Sequence, residues 1–363
     1  MRSRNLLALA VIAAIAVGAS IAAVFLGHDG TSTRMVAAAS GRANQTPPLR
    51  KLASRVHRQI GTAVDTKALA HDREYTSVLA RQFSSVTPEN AMKWEVVEPR
   101  RGTADYSTAD RLVAFARRNH QAVRGHNLVW HRQLPSWLTQ GAFTKTELAR
   151  ILQRHIREEV SHFRGRVYAW DVVNEPLDDS GGLRDTIWRR ALGPDYIAKA
   201  LEWAHSADPK AKLYLNDYGI EGSGLKANAM LALVKRLLAR YVPIDGVGFE
   251  SHLDLQYGFP GDMAGNMRRF ARLGLDVAVT EADVRMPLPT TRDELATQAS
   301  YYRQLIGACL AVKRCVSFSV WGFTDRYSWI PKWFPGEGAA DLYDRNLKPK
   351  PAYGAVHDAL ADP

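Results

Sequence analysis

From Gln59 onward the chain alternates short apolar runs with longer stretches in which apolar residues recur every three or four positions. The short runs are Ile60–Val64, Phe83–Val86, Ala122–Gly125, Val167–Trp170, Lys212–Leu215, Gly246–Phe249, Asp276–Val279 and Val316–Val320. Most are too short and too apolar for a sheet with one wet face. Strands buried on both faces read this way. Between them, residues 109–118 place Leu112, Val113 and Ala116 at helical spacing. Residues 145–163 do the same with Leu148, Ile151, Leu152, Ile156 and Val160, and residues 228–240 with Leu231, Val234, Leu237 and Leu238. Each pattern predicts a helix with one buried stripe. Asp208-Pro209 and Tyr241-Val242-Pro243 stop helices ahead of the next strand.

Eight strand-then-helix units predict an α/β fold, a closed (β/α)8 TIM barrel forming a single catalytic domain. An open doubly wound sheet would carry a Gly-rich phosphate loop after its first strand. Asp65-Thr66-Lys67 stands there instead.

The segment ahead of this pattern reads differently. Arg2 and Arg4 precede an apolar run from Leu6 to Leu26, as in an export signal. The run exceeds the roughly 7–15 residues of a usual signal core and is long enough to span a bilayer. Residues 1–39 are therefore expected to be a signal peptide, cut near Ala37-Ala38-Ala39, or an uncleaved membrane anchor through residues 6–26. Either way the domain is expected outside the cell, secreted or tethered. Residues 40–55, with Pro47-Pro48, read as a linker, and residues 56–363 as the barrel.

Composition adds little to the fold but narrows the partners. The 363 residues are 46% hydrophobic and 23% charged, ordinary for a globular protein. The net charge is +11, of which Arg2, Arg4 and Arg34 against Asp29 leave +9 beyond residue 39. The basic residues are scattered over amphipathic segments rather than clustered, which argues against nucleic acid. The two cysteines, Cys309 and Cys315, lie six residues apart between a predicted helix and strand. In an exported chain such a pair is expected to be bridged, with two buried free thiols as the alternative. Nothing around them has metal-ligand spacing.

A barrel puts functional side chains at the C-terminal ends of its strands. Those ends carry Glu89-Asn90, His126, Asn174-Glu175, Asn216-Asp217-Tyr218, Glu250-Ser251-His252, Glu281 and Trp321. Packing alone would not require polar or aromatic groups at nearly every end. Glu175 closes the fourth strand and Glu281 the seventh, so the two should face each other across the mouth. Two opposed carboxyls, one protonated and one ionised, are what retaining cleavage of a glycosidic bond requires, at a separation of about 5–5.5 Å. Asn174 is suited to bond a sugar 2-hydroxyl.

Several strings together carry a resemblance. They are Thr87-Pro88-Glu89-Asn90-Ala91-Met92-Lys93-Trp94, Gly125-His126-Asn127-Leu128-Val129-Trp130-His131, Trp170-Asp171-Val172-Val173-Asn174-Glu175-Pro176, Thr280-Glu281 and Val320-Trp321-Gly322-Phe323-Thr324-Asp325. From about Gln59 to its end, including Lys348–Tyr353, the chain resembles glycoside hydrolase family 10, whose typical activity is endo-β-1,4-xylanase. The resemblance implies that Glu175 is the acid/base and Glu281 the nucleophile. It also implies that His252 and Asp283 lie beside the nucleophile. Glu89, Asn90 and Lys93 are then expected to clamp sugar hydroxyls, with His126, Trp130 and Gln133 at the next rim position. Trp321 and Trp329 would cap the subsite at the cleavage point, and Tyr218 would be a platform on the leaving-group side. Trp94, Trp137 and Trp188 are assigned to the core. One position departs from the family: Glu250 stands where Gln is usual. Gln can donate a hydrogen bond and an ionised Glu cannot, so a third carboxyl beside the pair is expected to hold a proton or to disturb a neighbour.

The expected partner is xylan or another β-1,4-linked polysaccharide, acted on by a monomer that needs no metal or organic cofactor. A glucanase on the same scaffold and a non-catalytic glycan-binding barrel are the alternatives. The second predicts a missing acid or nucleophile, and both are present.

Overall fold

The computed structural model describes residues 46–363. The expected signal or anchor, residues 1–39, lies outside the described residues, as does the first part of the expected linker. The rest of that linker belongs to the fold. Residues Leu49–Arg55 form a helix, α1, that buries Leu49, Leu52 and Ala53. The Leu49 N–H donates to Gln82 Oε1 at 3.0 Å, and Tyr353 of the last helix donates to the same oxygen at 3.2 Å. Three apolar positions in seven residues are enough to dock a helix that the Pro47-Pro48 pair had marked as tether.

Eight parallel strands follow: β1 (Gln59–Val64), β2 (Ser85–Pro88), β3 (Ala122–Val129), β4 (Ala169–Asn174), β5 (Lys212–Asp217), β6 (Gly246–Phe249), β7 (Asp276–Pro287) and β8 (Cys315–Val320). Each pairs with the next, and β8 returns to β1 through Gln59↔Ser317 to Thr62↔Val320, which closes the barrel. Helices fill the connections, Ser107–Arg118 after β2 and Lys145–His162 after β3 among them. The second starts in a capping box made by Thr144 and Glu147. The helix before β8 starts at Arg292, where a second capping box, Thr291 with Glu294, fixes its first turn. Cys309 at its end and Cys315 on β8 form a disulfide with Cα atoms 5.3 Å apart.

Two departures from the expected pattern shape the mouth. β6 stops at Phe249, Ser251 turns through φ +65°, and the chain resumes as a short strand, His252–Asp254, pairing His252↔Asp283 to Asp254↔Arg285 on β7. β7 itself does not stop at its glutamate. It runs on to Pro287, paired on this extension with residues 252–254 and, antiparallel, with Glu337–Gly338.

Candidate active site

Glu175 follows the last residue of β4 with φ +50°, a left-handed conformation that a residue with a Cβ adopts only when its surroundings impose it. Here the imposition is visible. Its backbone N–H donates to the Asn216 carbonyl on β5 at 2.8 Å. Its own carbonyl accepts from Arg184 Nε at 3.1 Å, and the Leu177 N–H donates to Asp217 Oδ2 at 3.2 Å. Glu281 comes from the middle of β7. The strand bulges against β8 between Val279 and Ala282, and a bulge re-aims side chains. As a result the consecutive residues Thr280 and Glu281 both reach Asn216, Thr280 donating to its Oδ1 at 2.7 Å and Glu281 accepting from its Nδ2 at 2.7 Å.

Asn216 is therefore the joint between acid and nucleophile. The room for its side chain comes from Gly248 on β6, where an added Cβ would lie 2.0 Å from Asn216 Oδ1. Its Nδ2 also lies 2.8 Å from Asn174 Oδ1 and 3.1 Å from Glu250 Oε1. An amide nitrogen has two hydrogens for these three oxygens.

The two glutamates are biased in opposite directions. Burial pushes the Glu175 carboxyl above the usual range, and the charge of Glu281 adds to the rise. The Trp130 indole N–H tempers it without closing a hydrogen bond of standard geometry. His131, 3.8 Å from Glu175 Oε2, is held down to about 4 by burial and by the cations Arg184, Arg132 and Lys226, so it stays neutral beside the acid. For Glu281 burial also acts upward, but the charge of His126 and the His252 hydrogen bond outweigh it and hold the carboxyl below its usual value. His252 Nε2 is 3.3 Å from Glu281 Oε2 and its Nδ1 is 2.9 Å from Asp283 Oδ2. Burial would lower the imidazole, yet Asp283 and Glu281 raise it to about 10.

The sugar clamp assembles on one rim. Lys93 Nζ donates to Asn90 Oδ1 at 3.2 Å, Gln133 Nε2 to the same oxygen at 3.2 Å, and Asn90 Nδ2 to Glu89 Oε1 at 3.1 Å. Burial raises Glu89 to about 7, with Lys93 opposing. Lys93 Nζ lies 5.0 Å from the Trp130 ring centroid and 5.8 Å from that of Trp321, tying the rim to the floor. Trp329 donates from Nε1 to Asp283 Oδ2 at 2.8 Å, which fixes its ring over the nucleophile's support. Tyr218 has one face covered by Lys226, whose Nζ is 3.3 Å from the ring centroid. Only its other face can serve as a platform.

Three expectations change. His126 does not line the rim. It is 1% exposed, because β3 continues three residues past it and bulges against β4, turning the imidazole inward. There its Nδ1 is 3.1 Å from Asp171 Oδ2 and 3.8 Å from Glu281 Oε1, in the place of a charge support. His252 begins a short strand rather than ending one. Glu281 sits within a strand rather than at its end. Glu250 is indeed against the pair: it is 2% exposed, Oε2 lies 3.8 Å from His252 Nε2, and burial with the charges of Glu281 and Glu175 pushes it well above the usual range. Glu250, His252 and Glu281 present ligand atoms within 4.8 Å of one another. A protonated His252 offers no lone pair to a cation there. Asn216, His131 and Asp171 were not singled out from the sequence, although the polar end of β5 marked the first of them. A separate cavity of about 560 Å³ at the opposite end of the barrel has its carboxylate, Asp110, already paired with His162 and Arg166.

Comparison with known proteins follows the same lines. Residues 48–359 match the profile of glycosyl hydrolase family 10. The chain is 46% identical over 300 residues to an endo-1,4-β-xylanase of Agaricus bisporus, covering 82% of this chain and 90% of the relative. It is 42% identical over 331 residues to endo-1,4-β-xylanase B of Thermotoga neapolitana, covering 90% and 96%. Among solved structures, xylanase 10B of Thermotoga petrophila in complex with xylobiose superposes with a TM-score of 0.84 at 42% identity, over 86% of this chain and 97% of that one.

Proposed function

This chain belongs to glycosyl hydrolase family 10, and we propose that it is an endo-1,4-β-xylanase that cleaves internal bonds of xylan by retaining double displacement, with Glu175 as acid/base and Glu281 as nucleophile. The observation that carries these roles is the opposed bias of two carboxyls joined through one asparagine. Burial keeps a proton on Glu175, while His126 and His252 keep one off Glu281.

In the first step Glu175 gives its proton to the glycosidic oxygen as the C1–O bond breaks. A Glu281 oxygen bonds to C1, and the leaving chain departs as an alcohol. In the second step Glu175, now a carboxylate, takes a proton from water. The water oxygen bonds to C1, the ester to Glu281 breaks, and Glu175 is protonated again. Two inversions at C1 give net retention. Asn174 Oδ1 is taken by Asn216, which leaves its Nδ2 donors for a sugar 2-hydroxyl.

The same proposal has one chain acting alone outside the cytoplasm. Both carboxyls and the clamp come from one barrel, and the Cys309–Cys315 bridge suits an oxidising compartment. The test is Glu281→Ala, which should abolish xylan hydrolysis while binding persists; wild-type activity in that variant refutes the assignment. Early proton NMR of products should show the β-anomer first, and the α-anomer would exclude this mechanism. Rates on xylan and carboxymethyl cellulose, measured side by side, fix the substrate preference.

A further inference from the structure

Among the described residues, a cation at the mouth has no carboxylate within 4.0 Å. Arg132, between His131 and Gln133 beyond β3, is exposed. Its Nε donates to His131 Nε2 at 3.3 Å, and its charge reaches Glu175 and His131. Its guanidinium carbon lies 5.7 Å from the ring centroid of Trp333. Trp333, 55% exposed, ends the short helix after β8, with its ring 6.4 Å from that of Trp329. The contact thus joins the β3 loop, on the side of the acid, to the β8 loop, on the side of the nucleophile.

The other cations around the acid are occupied. Arg184 donates to the carbonyls of Glu175 and Leu177 and to Tyr218. Lys226 pairs with Asp217 at 2.9 Å. Among the described residues Arg132 forms no ion pair within 4.0 Å. A guanidinium held over an indole ring, with its Nε on His131, is oriented and keeps its terminal N–H groups for another partner. Those groups match a carboxylate in a two-point contact. A plain β-1,4-xylose chain offers no anion, whereas the uronic acid side groups borne by many xylans do.

We infer that Arg132, seated on Trp333, is a specificity-determining residue that receives the carboxylate of a uronic acid side group on the xylan chain and biases the enzyme toward acidic xylans. This rests on the xylanase reading above. The net charge of +11 adds a general attraction for a polyanionic chain, but Arg132 supplies the contact at the cleavage point.

The experiment measures kcat/KM of the parent, Arg132→Gln and Trp333→Ala on a glucuronic-acid-substituted xylan and on the same xylan after reduction of its carboxyls. The acidic-to-reduced ratio should fall about tenfold in Arg132→Gln, equivalent to about 1.4 kcal/mol, and part of that in Trp333→Ala. A ratio cancels any loss of folded enzyme. An unchanged ratio in Arg132→Gln overturns the inference. A parent that cleaves neither substrate overturns the xylanase reading itself, and does so without reference to Arg132.

Discussion

Asn216 donates from Nδ2 to Oε1 of Glu281 at 2.7 Å. Its backbone carbonyl holds the N–H of Glu175 at 2.8 Å, so one residue positions both ends of the reaction. Only the side-chain half is lost in Asn216→Ala. A hydrogen bond to a charged group contributes about 1.5–3 kcal/mol, so kcat should fall by roughly 10–150-fold. KM should change little, because the backbone contact and the sugar clamp remain. Steady-state kinetics on a soluble xylo-oligosaccharide decide it: a rise in KM at constant kcat would make Asn216 a binding residue instead.

The pH–rate profile of kcat/KM should be a bell with both limbs displaced outward from the ordinary glutamate value. Glu175 is raised, so activity persists above the usual carboxyl range and falls as pH climbs through its titration. Glu281 is lowered, so activity persists below that range and falls only as it gains a proton. Carbon-detected NMR of the Glu175 carboxyl should show its titration move down in Glu281→Gln, since one cause of its rise has been removed. No movement would mean the two charges do not sense each other.

Glu250→Gln tests the third carboxyl. Burial and the charges of Glu281 and Glu175 push Glu250 well above the usual carboxyl range, so it is neutral while Glu175 acts, and Gln is its neutral isostere. The variant should therefore keep both limbs of the parent's pH–rate profile. A displaced alkaline limb in the variant would show that Glu250 ionises within the working range.

His252 links the site to stability. Its folded value of about 10 exceeds its ordinary 6.5, so protonation favours the folded state. That contribution is complete below about pH 6.5 and is lost as pH rises through about 10. Melting temperatures of the parent should fall across this window more than those of Asp283→Asn, which lacks the largest charge raising His252. Parallel curves would remove His252 from the account.

Much of this was legible because barrel strands are short and buried on both faces. Each showed as an apolar run, and the residue after the run showed as chemistry, Glu175 most clearly. The unread parts depended on partners far away in sequence. The β7 extension alternates in character, and its antiparallel partner is Glu337–Gly338, some fifty residues on. The inward turn of His126 follows from a bulge that only the pairing with β4 reveals. Asn216 read as the polar stop of a strand, and its importance lies in the space left by Gly248 on the neighbouring strand.

The continuation of β7 beyond Glu281 divides the reaction centre between two kinds of structure. The nucleophile is part of the framework, with paired strand on both sides of it, while the acid stands on the first residue of a loop. Insertions and deletions drifting through the loops can therefore reset proton delivery and the leaving-group side without moving the atom that attacks C1. A lineage with this layout can diversify the chains it cuts while keeping one covalent intermediate.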